Sequence, residues 1–242
     1  MIDKSSPIPF YYQLESFIKD QINSGNLVPG DTIPSEREYA EAYGISRMTV
    51  RQAINALVTE GLLYRKKGSG TFVANKKIEQ PLQGLTSFTE DMKKRGMNPT
   101  SELIHFEIVP ASINIADELH IKEHAPVYEI KRIRLADGEP MALETNYLSA
   151  NLVKGLTEEV VNTSIYAYIE EKLNLEIAHA DQMIESIQAS SEDARLLKIN
   201  KDHPMLYIKR NTFLQDGTPL ELVKSHYRGD RYKFYIKMKR FE

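Results

Sequence analysis

Two short amphipathic segments separated by only two residues restrict the fold of this chain more than any other feature. Ser35 and Glu38 have the spacing of a capping box, in which each side chain accepts a hydrogen bond from the other residue's backbone N–H, so they predict the start of a helix that ends at Gly44. Ser46 then caps a second predicted helix, over about 47–60. Two helices joined by a turn of three or four residues with a glycine are typical of a helix-turn-helix.

The second of these helices has one apolar face and one face that suits DNA. Its apolar positions recur at i, i+3, i+4 and i+7, at Val50, Ala53, Ile54 and Leu57. Polar and basic side chains occupy the opposite face and its flanks: Arg47, Thr49, Arg51, Gln52 and Asn55. Such side chains bind base edges and phosphates, and recognition helices enter the major groove near their N-termini. The pattern therefore favours a recognition helix.

A basic hairpin is predicted directly after this helix. Residues 62–64 and 71–74 have the pattern of two short strands around Arg65-Lys66-Lys67-Gly68-Ser69-Gly70. The glycines permit positive φ and a close approach to DNA, and the cations replace counterions of the phosphates. A further helix is predicted upstream from an apolar stripe at Tyr11, Leu14, Ile18 and Ile22. This order of elements indicates a winged helix-turn-helix.

The distribution of charge points to the same surface, although the net charge does not. The whole chain has 31 Lys+Arg and 34 Asp+Glu, a formal net charge of -3. Residues 44–77, however, have Glu60 as their one acidic residue against a basic set of Arg47, Arg51, Arg65, Lys66, Lys67, Lys76 and Lys77. The alternative interpretation is a solvated basic face. The predicted helix-turn-helix and wing that carry these charges favour a phosphate-binding surface instead.

Residues 7–75 resemble the DNA-binding domain of the GntR family of bacterial transcription regulators. The resemblance lies in PSEREYA (34–40), GISRMTVRQA (44–53), EGLL (60–63) and GSGTFV (68–73). It implies that Arg37, Arg47, Thr49 and Arg51 contact operator DNA and that Gly68 and Gly70 enter the minor groove. With the neighbouring helix and wing side chains, the expected DNA-binding residues are Arg37, Ser46, Arg47, Thr49, Arg51, Gln52, Lys66, Lys67, Gly68 and Gly70.

A polar segment predicts the domain boundary. NKKIEQPLQG (75–84) contains a proline and a glycine and lacks hydrophobic periodicity, which is typical of a linker. We therefore expect a winged helix-turn-helix domain over 1–75, a linker over 76–84 and a second domain over 85–242.

The second domain contains an internal repeat. Ala116-x-x-Leu119-x-Ile121 followed by Pro126 recurs as Ala194-x-x-Leu197-x-Ile199 followed by Pro204. Each copy continues into a β-rich segment with a Lys-Arg pair (131–132 and 209–210), an Asp-Gly turn signal (137–138 and 216–217) and a strand with a glutamate. A helix over roughly 164–173, a strand near 177–188 and a final strand over 232–239 complete the prediction. Pairing both units into one largely antiparallel sheet with packed helices gives an α+β chain.

Two arginines of the first repeat suggest an anion site. Arg132 and Arg134 project from the same face of one strand and repel each other unless an anion or carboxylate lies between them. One interpretation is a surface ion-pair ladder with Glu129. The other is a phosphate clamp, completed by Ser164 at a helix N-terminus, with Glu144 and Glu221 accepting from sugar hydroxyls or an amine.

Residues 80–242 resemble the effector-binding (UTRA-type) domain of the HutC subfamily, which has a chorismate-lyase-like fold. The resemblance lies in LQGLTSFTEDM (82–92), IRLA (133–136), SIY (164–166) and YRGDRY (227–232). It implies an amino-sugar 6-phosphate effector, glucosamine 6-phosphate or N-acetylglucosamine 6-phosphate. The phosphate would be held by Phe88, Thr89, Arg132, Arg134, Ser164 and Tyr166, and the sugar would contact Glu144, Glu221 and Tyr227.

We therefore expect a homodimeric, effector-released repressor that binds palindromic operator DNA and controls amino-sugar uptake and catabolism genes. With no cysteine, no apolar run near the ~20 residues of a membrane span and no signal peptide, we expect it in the cytoplasm, with no membrane partner. No cofactor, metal ligand or catalytic residue is expected. The alternatives are a related regulator that senses another sugar phosphate or a carboxylate, an enzyme with a lyase-like domain, and an architectural DNA-binding protein.

Overall fold

The computed structural model describes residues 2–75, 77–238 and 240, which form two compact units that divide between residues 78 and 79. Lys76, which belongs to the predicted basic set, and Lys239, the predicted end of the last strand, lie outside the described residues.

The first unit is a winged helix-turn-helix, as predicted. Its elements are α1 (Phe10–Asn23), α2 (Glu36–Tyr43), α3 (Arg47–Thr59), β1 (Leu63–Lys66) and β2 (Gly70–Val73). Both β-strands pair antiparallel. The apolar stripe of α3 is buried against Leu14 and Ile18 of α1, so the predicted core face is confirmed.

The predicted helix starts are also confirmed. Ser35 and Glu38 form the reciprocal capping box at the start of α2, and the hydroxyl of Ser46 accepts from the backbone N–H of Thr49 at the start of α3. Gly44 ends α2 in the left-handed region, with φ at 61°. Glycine adopts this conformation without steric cost, which explains why the turn between the helices is so short.

The wing strands extend further toward the tip than predicted. The pairing continues through Arg65 with Thr71 to Lys66 with Gly70, so β1 and β2 include residues that were predicted to be loop. Long basic side chains can remain solvated on a two-stranded ribbon, and their charge therefore does not end the strand. The tip that remains is Lys67-Gly68-Ser69.

The second unit contains one six-stranded antiparallel sheet with order β4-β5-β6-β9-β8-β7 and a separate pair, β10-β3. The strands are β3 (Ile78–Pro81), β4 (Pro99–Pro110), β5 (Pro126–Ala136), β6 (Glu139–Ser149), β7 (Ile177–Gln188), β8 (Pro204–Leu214), β9 (Pro219–Arg228) and β10 (Tyr232–Tyr235). The helices are α4 (Phe88–Lys94), α5 (Ile113–Leu119), α6 (Glu158–Asn162), α7 (Ile165–Glu171) and α8 (Ser191–Leu197).

The repeat appears in the sheet as two equivalent halves. β4, α5, β5 and β6 form one half, and β7, α8, β8 and β9 form the other, with β6 and β9 paired at the centre. The repeat is therefore one strand longer than predicted, because β4 was not recognised and β7 was treated as separate. Both predicted hairpins are present, and Asp137 and Gly138 have the positive φ values, 51° and 79°, of a tight turn.

The ends of this unit differ in part from the prediction. The division between the two units lies within the predicted linker over 76–84, but that segment also contains β3. The predicted final strand over 232–239 is present as β10, which ends at Tyr235 and pairs with β3 outside the large sheet. The two segments form hydrogen bonds between their backbone N–H and C=O groups. The side-chain pattern of either segment does not predict that pairing.

Each repeat places its helix on strands of the other repeat. Helix α8 packs on β6, and α5 packs on β9. An ion pair accompanies each packing: Lys131 of β5 lies 2.8 Å from Glu192 of α8, and Lys209 of β8 pairs with Glu118 of α5. Ile133 is buried against Leu196 and Leu197 of α8, so Arg132 and Arg134, which alternate with it, face the other side of the sheet.

Asp193→Asn should weaken the second unit at neutral pH by about 1–3 kcal/mol. Asp193 is 2% exposed and accepts from Ser190 at 2.6 Å, with His226 Nδ1 at 2.8 Å from its other oxygen. Burial raises the pKa of Asp193, but the hydrogen bonds from Ser190 and His226 outweigh it, so this pKa lies below the ordinary aspartate value.

Because the pKa is lower in the folded state, the carboxylate contributes stability above its unfolded-state pKa, and this is lost as the pH falls through the folded-state pKa. The difference between wild type and Asp193→Asn in free energy of unfolding by urea should therefore shrink from pH 7 to pH 3. A difference that is independent of pH would contradict the assignment.

Candidate functional site

The second unit contains a polar cavity on the sheet face that carries Arg132 and Arg134. It encloses about 780 Å³ of space free of protein atoms, including solvent at its mouth. All nine residues expected to bind an effector line it: Phe88, Thr89, Arg132, Arg134, Glu144, Ser164, Tyr166, Glu221 and Tyr227. Strands β5, β6, β9 and β8 supply the floor, and the starts of α4 and α7 supply the walls.

Arg132 is fixed from several directions at the floor of the cavity. It is 3% exposed, and its Nη2 donates to Glu144 Oε1 at 2.5 Å and to Asn146 Oδ1 at 3.1 Å. Its Nη1 donates to the backbone oxygen of Val161. The surface ion-pair ladder with Glu129 is therefore wrong. Cross-strand register places Glu144 directly opposite Arg132, whereas Glu129 accepts from Tyr147.

Arg134 connects the sheet to α4. Its Nη2 donates to Thr89 Oγ1 at 2.9 Å, and its guanidinium lies 4.8 Å from the centre of the Phe88 ring. Glu144 Oε1 is 3.8 Å from its Nη1. Burial lowers the pKa of Arg134 to about 10, while Glu144 raises it, so the side chain stays positively charged at neutral pH.

Three buried donors of the cavity lack a partner in the described part of the chain. They are Arg132 Nε, Arg134 Nε and the hydroxyl of Tyr232. A buried donor without an acceptor costs free energy comparable to a lost hydrogen bond, and such groups occur mainly where water, an ion or a ligand binds. A water, ion or ligand that reached these donors would have to offer them acceptor atoms.

The predicted cap at Ser164 is confirmed and lies at the cavity. Helix α7 begins after Ser164, whose hydroxyl oxygen accepts from the backbone N–H of Ala167 at 3.3 Å. The proton of that hydroxyl is still available to an acceptor in the cavity, because the cap uses only the oxygen.

The two glutamates have different environments. Burial raises the pKa of Glu144, but the charges of Arg132 and Arg134 outweigh it, and the pKa is lowered. Glu221 is 1% exposed and accepts from Tyr166 at 2.7 Å, Thr212 at 3.0 Å and Asn146 at 3.1 Å. Burial raises its pKa in spite of the hydrogen bond from Tyr166. Glu144 is thus the internal counter-ion of the arginines.

Sequence reasoning missed Arg210, Asn146 and Tyr232, all of which line the cavity. Arg210 donates to Gln182 Oε1 through Nε at 2.9 Å and through Nη2 at 2.7 Å. It is the repeat counterpart of Arg132, so the Lys-Arg pair in both copies was the signal that could have identified it. Asn146 and Tyr232 do not belong to the motif that the two repeats share, so the repeat could not have identified them.

Nine of the ten residues expected to contact DNA are exposed on the first unit. Arg47, Arg51 and Gln52 are exposed near the start of α3, and the wing residues Lys66, Lys67, Gly68 and Gly70 are exposed on the hairpin. Thr49 contacts Ser46, with 2.8 Å between their hydroxyl oxygens. Arg37 pairs with Glu41 through Nε at 2.7 Å. Only Thr49 of the ten is partly buried.

Two family models match the chain. Residues 10–73 match the bacterial regulatory proteins of the gntR family, and residues 94–233 match the UTRA domain. The chain belongs to the GntR family. Its UTRA domain makes it a HutC-type member, so the resemblance stated from the sequence and the α+β class are confirmed. Such regulators bind DNA and respond to small molecules, and the expectation of a regulator rather than an enzyme is confirmed by the family.

Several relatives span almost the whole of this GntR-family chain. It is 50% identical to the HTH-type transcriptional repressor NagR of Bacillus subtilis over 99% of this chain and 98% of that protein. It is 35% identical to the mannosyl-D-glycerate transport/metabolism system repressor MngR of Escherichia coli, with 94% and 95% covered. The crystal structure of PhnF from Mycobacterium smegmatis is 30% identical, with a TM-score of 0.64 and 95% and 98% covered. Among the described residues, no helix has the length and apolar character needed to cross a membrane.

Arg132→Met should destabilise the second unit by about 3 kcal/mol, because it leaves the Glu144 carboxylate buried without its main partner. The double variant Arg132→Met with Glu144→Gln should recover much of the loss. Lys131→Met is the matched control: its pair with Glu192 is partly exposed, so the change should stay within about 1 kcal/mol. Urea unfolding measures all three, and a double variant no better than Arg132→Met would contradict the charge-pairing account.

Proposed function

We propose that this protein is a homodimeric transcriptional repressor that binds a palindromic operator and is released by an amino-sugar phosphate. The observation that carries the effector class is the buried Arg132–Arg134 pair with its unpartnered Nε donors. The relative at 50% identity is a transcriptional repressor, which supports the sign of regulation. As a bacterial regulator that acts on DNA, the protein would work in the cytoplasm.

The phosphate would bind where positive charge and free donors converge. Arg132 and Arg134 supply the charge, and the hydroxyls of Ser164 and Thr89 line the same cavity. Guanidinium groups bind phosphate oxygens through paired donors, and a phosphate dianion would offset the two buried cations better than Glu144 does alone. Tyr166 and the Phe88 side of the cavity would complete this end of the site.

The sugar would lie toward Glu221 and Tyr227. Both side chains line the cavity, and Tyr227 packs edge-to-face on Tyr232 with ring centres 4.7 Å apart. Glu221 would accept from sugar hydroxyls or an amine, and an apolar ring wall suits the carbon face of a pyranose. Because Glu144 accepts a hydrogen bond from Arg132, we propose that its main role is as counter-ion of the arginines and that a sugar contact is secondary.

DNA release requires that the effector distinguish two arrangements of the protein. A ligand that binds the DNA-competent and DNA-incompetent forms equally shifts nothing. We propose that the effector changes the relative placement of two DNA-binding domains in a dimer through the segment around 76–84. Two-fold dimers read half-sites that are about one helical turn apart.

Titration with a panel of sugars tests the effector. Glucosamine 6-phosphate or N-acetylglucosamine 6-phosphate should raise the midpoint of thermal unfolding, whereas the unphosphorylated sugars should need about 100-fold higher concentration, since the charged contacts are lost. A response to another sugar phosphate or to a carboxylate alone would select the related-regulator alternative. Turnover of any sugar phosphate would revive the enzyme alternative.

A pair of substitutions tests the division of labour between the two units. Arg51→Ala should weaken operator binding about 10-fold or more and leave effector binding unchanged. Arg134→Ala should retain operator binding but no longer release DNA on addition of the effector. Fluorescence anisotropy with labelled operator measures both. Loss of the same activity in both variants would overturn the two-module assignment.

A further inference from the structure

One carboxylate joins three elements of the DNA-binding unit. Glu36, the first residue of α2, accepts from Arg51 Nε of α3 at 2.9 Å through Oε2. Its Oε1 accepts from Arg65 Nη2 of β1, also at 2.9 Å. A single acidic side chain therefore bridges the recognition helix and the wing.

The pair with Glu36 does not use the terminal nitrogens of the Arg51 guanidinium. The Glu36 side chain is 25% exposed, against 52% for Arg51, so the carboxylate is the more buried partner of the pair. In the described part of the chain, the pair with Glu36 engages Arg51 through Nε alone. The two terminal nitrogens, Nη1 and Nη2, remain as a fork that matches the O6 and N7 acceptors of guanine.

We propose that Glu36 is a positioning residue that holds Arg51 for end-on recognition of a guanine in the operator and ties Arg65 of the wing to the same arrangement. This rests on the proposed contact between Arg51 and DNA. An arginine without this restraint can turn to any nearby phosphate, which adds affinity without sequence discrimination. A restrained side chain also loses less conformational entropy when it binds.

Stability of the fold does not account for the arrangement. Exposed ion pairs contribute little to folding, and both arginines are about half exposed. We therefore expect Glu36→Gln to fold with an almost unchanged thermal midpoint and to differ from wild type in DNA discrimination.

The test begins with an operator selected from random duplexes by the wild-type protein. Each guanine is then replaced, in both half-sites, by 7-deazaguanine, which lacks the N7 acceptor. At one position wild type should lose about 10-fold in affinity, and Arg51→Ala should show almost no further loss. At that position Glu36→Gln should show a penalty below about 3-fold, together with a smaller ratio of operator to scrambled-duplex affinity.

Glu60→Gln is the matched control, because it removes the same charge from the same unit. Glu60 pairs with Lys19 at the far end of α3, so this variant should keep the full 7-deazaguanine penalty. The proposal is overturned if Glu36→Gln keeps the full penalty, or if it tightens operator and scrambled DNA equally. It is also overturned if Arg51→Ala leaves every penalty intact. Failure to select any operator would instead count against the proposed function.

Discussion

The pairing of β6 with β9 is the contact on which the second unit depends. It joins the two repeats edge to edge, so that β5, β6, β9 and β8 lie side by side across the centre of the sheet. Arg132, Glu144, Glu221 and Arg210 come from these four strands in that order and line one cavity. The hydrogen bond from Asn146 on β6 to Glu221 on β9 joins the two halves of the site, because its floor is shared.

The cavity illustrates how charges are accommodated inside a protein. Two arginines on one strand face cannot be buried beside each other without negative charge nearby. Glu144 supplies part of it from the opposite register position, and the Nε donors of both arginines have no partner in the described part of the chain. A buried donor without an acceptor costs free energy, so a group that supplies an acceptor binds more favourably there than at a site that is already satisfied.

The DNA-binding unit handles its charge differently. Its arginines are exposed and three of them pair with a carboxylate, Arg51 and Arg65 with Glu36 and Arg37 with Glu41. These pairs reduce the positive potential of the surface while keeping the cations in place. A chain with a formal net charge of -3 can therefore present a basic face to DNA and a largely acidic remainder to solvent.

The local elements could be predicted from the amino-acid sequence alone. The caps at Ser35, Ser46 and Ser164, the core stripe of α3 and the two Asp-Gly hairpins follow from interactions between residues a few positions apart, which a linear pattern records. The resemblance to known regulators brought together the cavity residues. Four contacts became visible only in the folded chain: Glu144 pairs with Arg132, β3 pairs with β10, Arg210 lines the cavity, and Glu36 binds Arg51. These contacts join residues between 12 and more than 100 positions apart, and pairing over such separations depends on strand order and register, which side-chain periodicity does not encode.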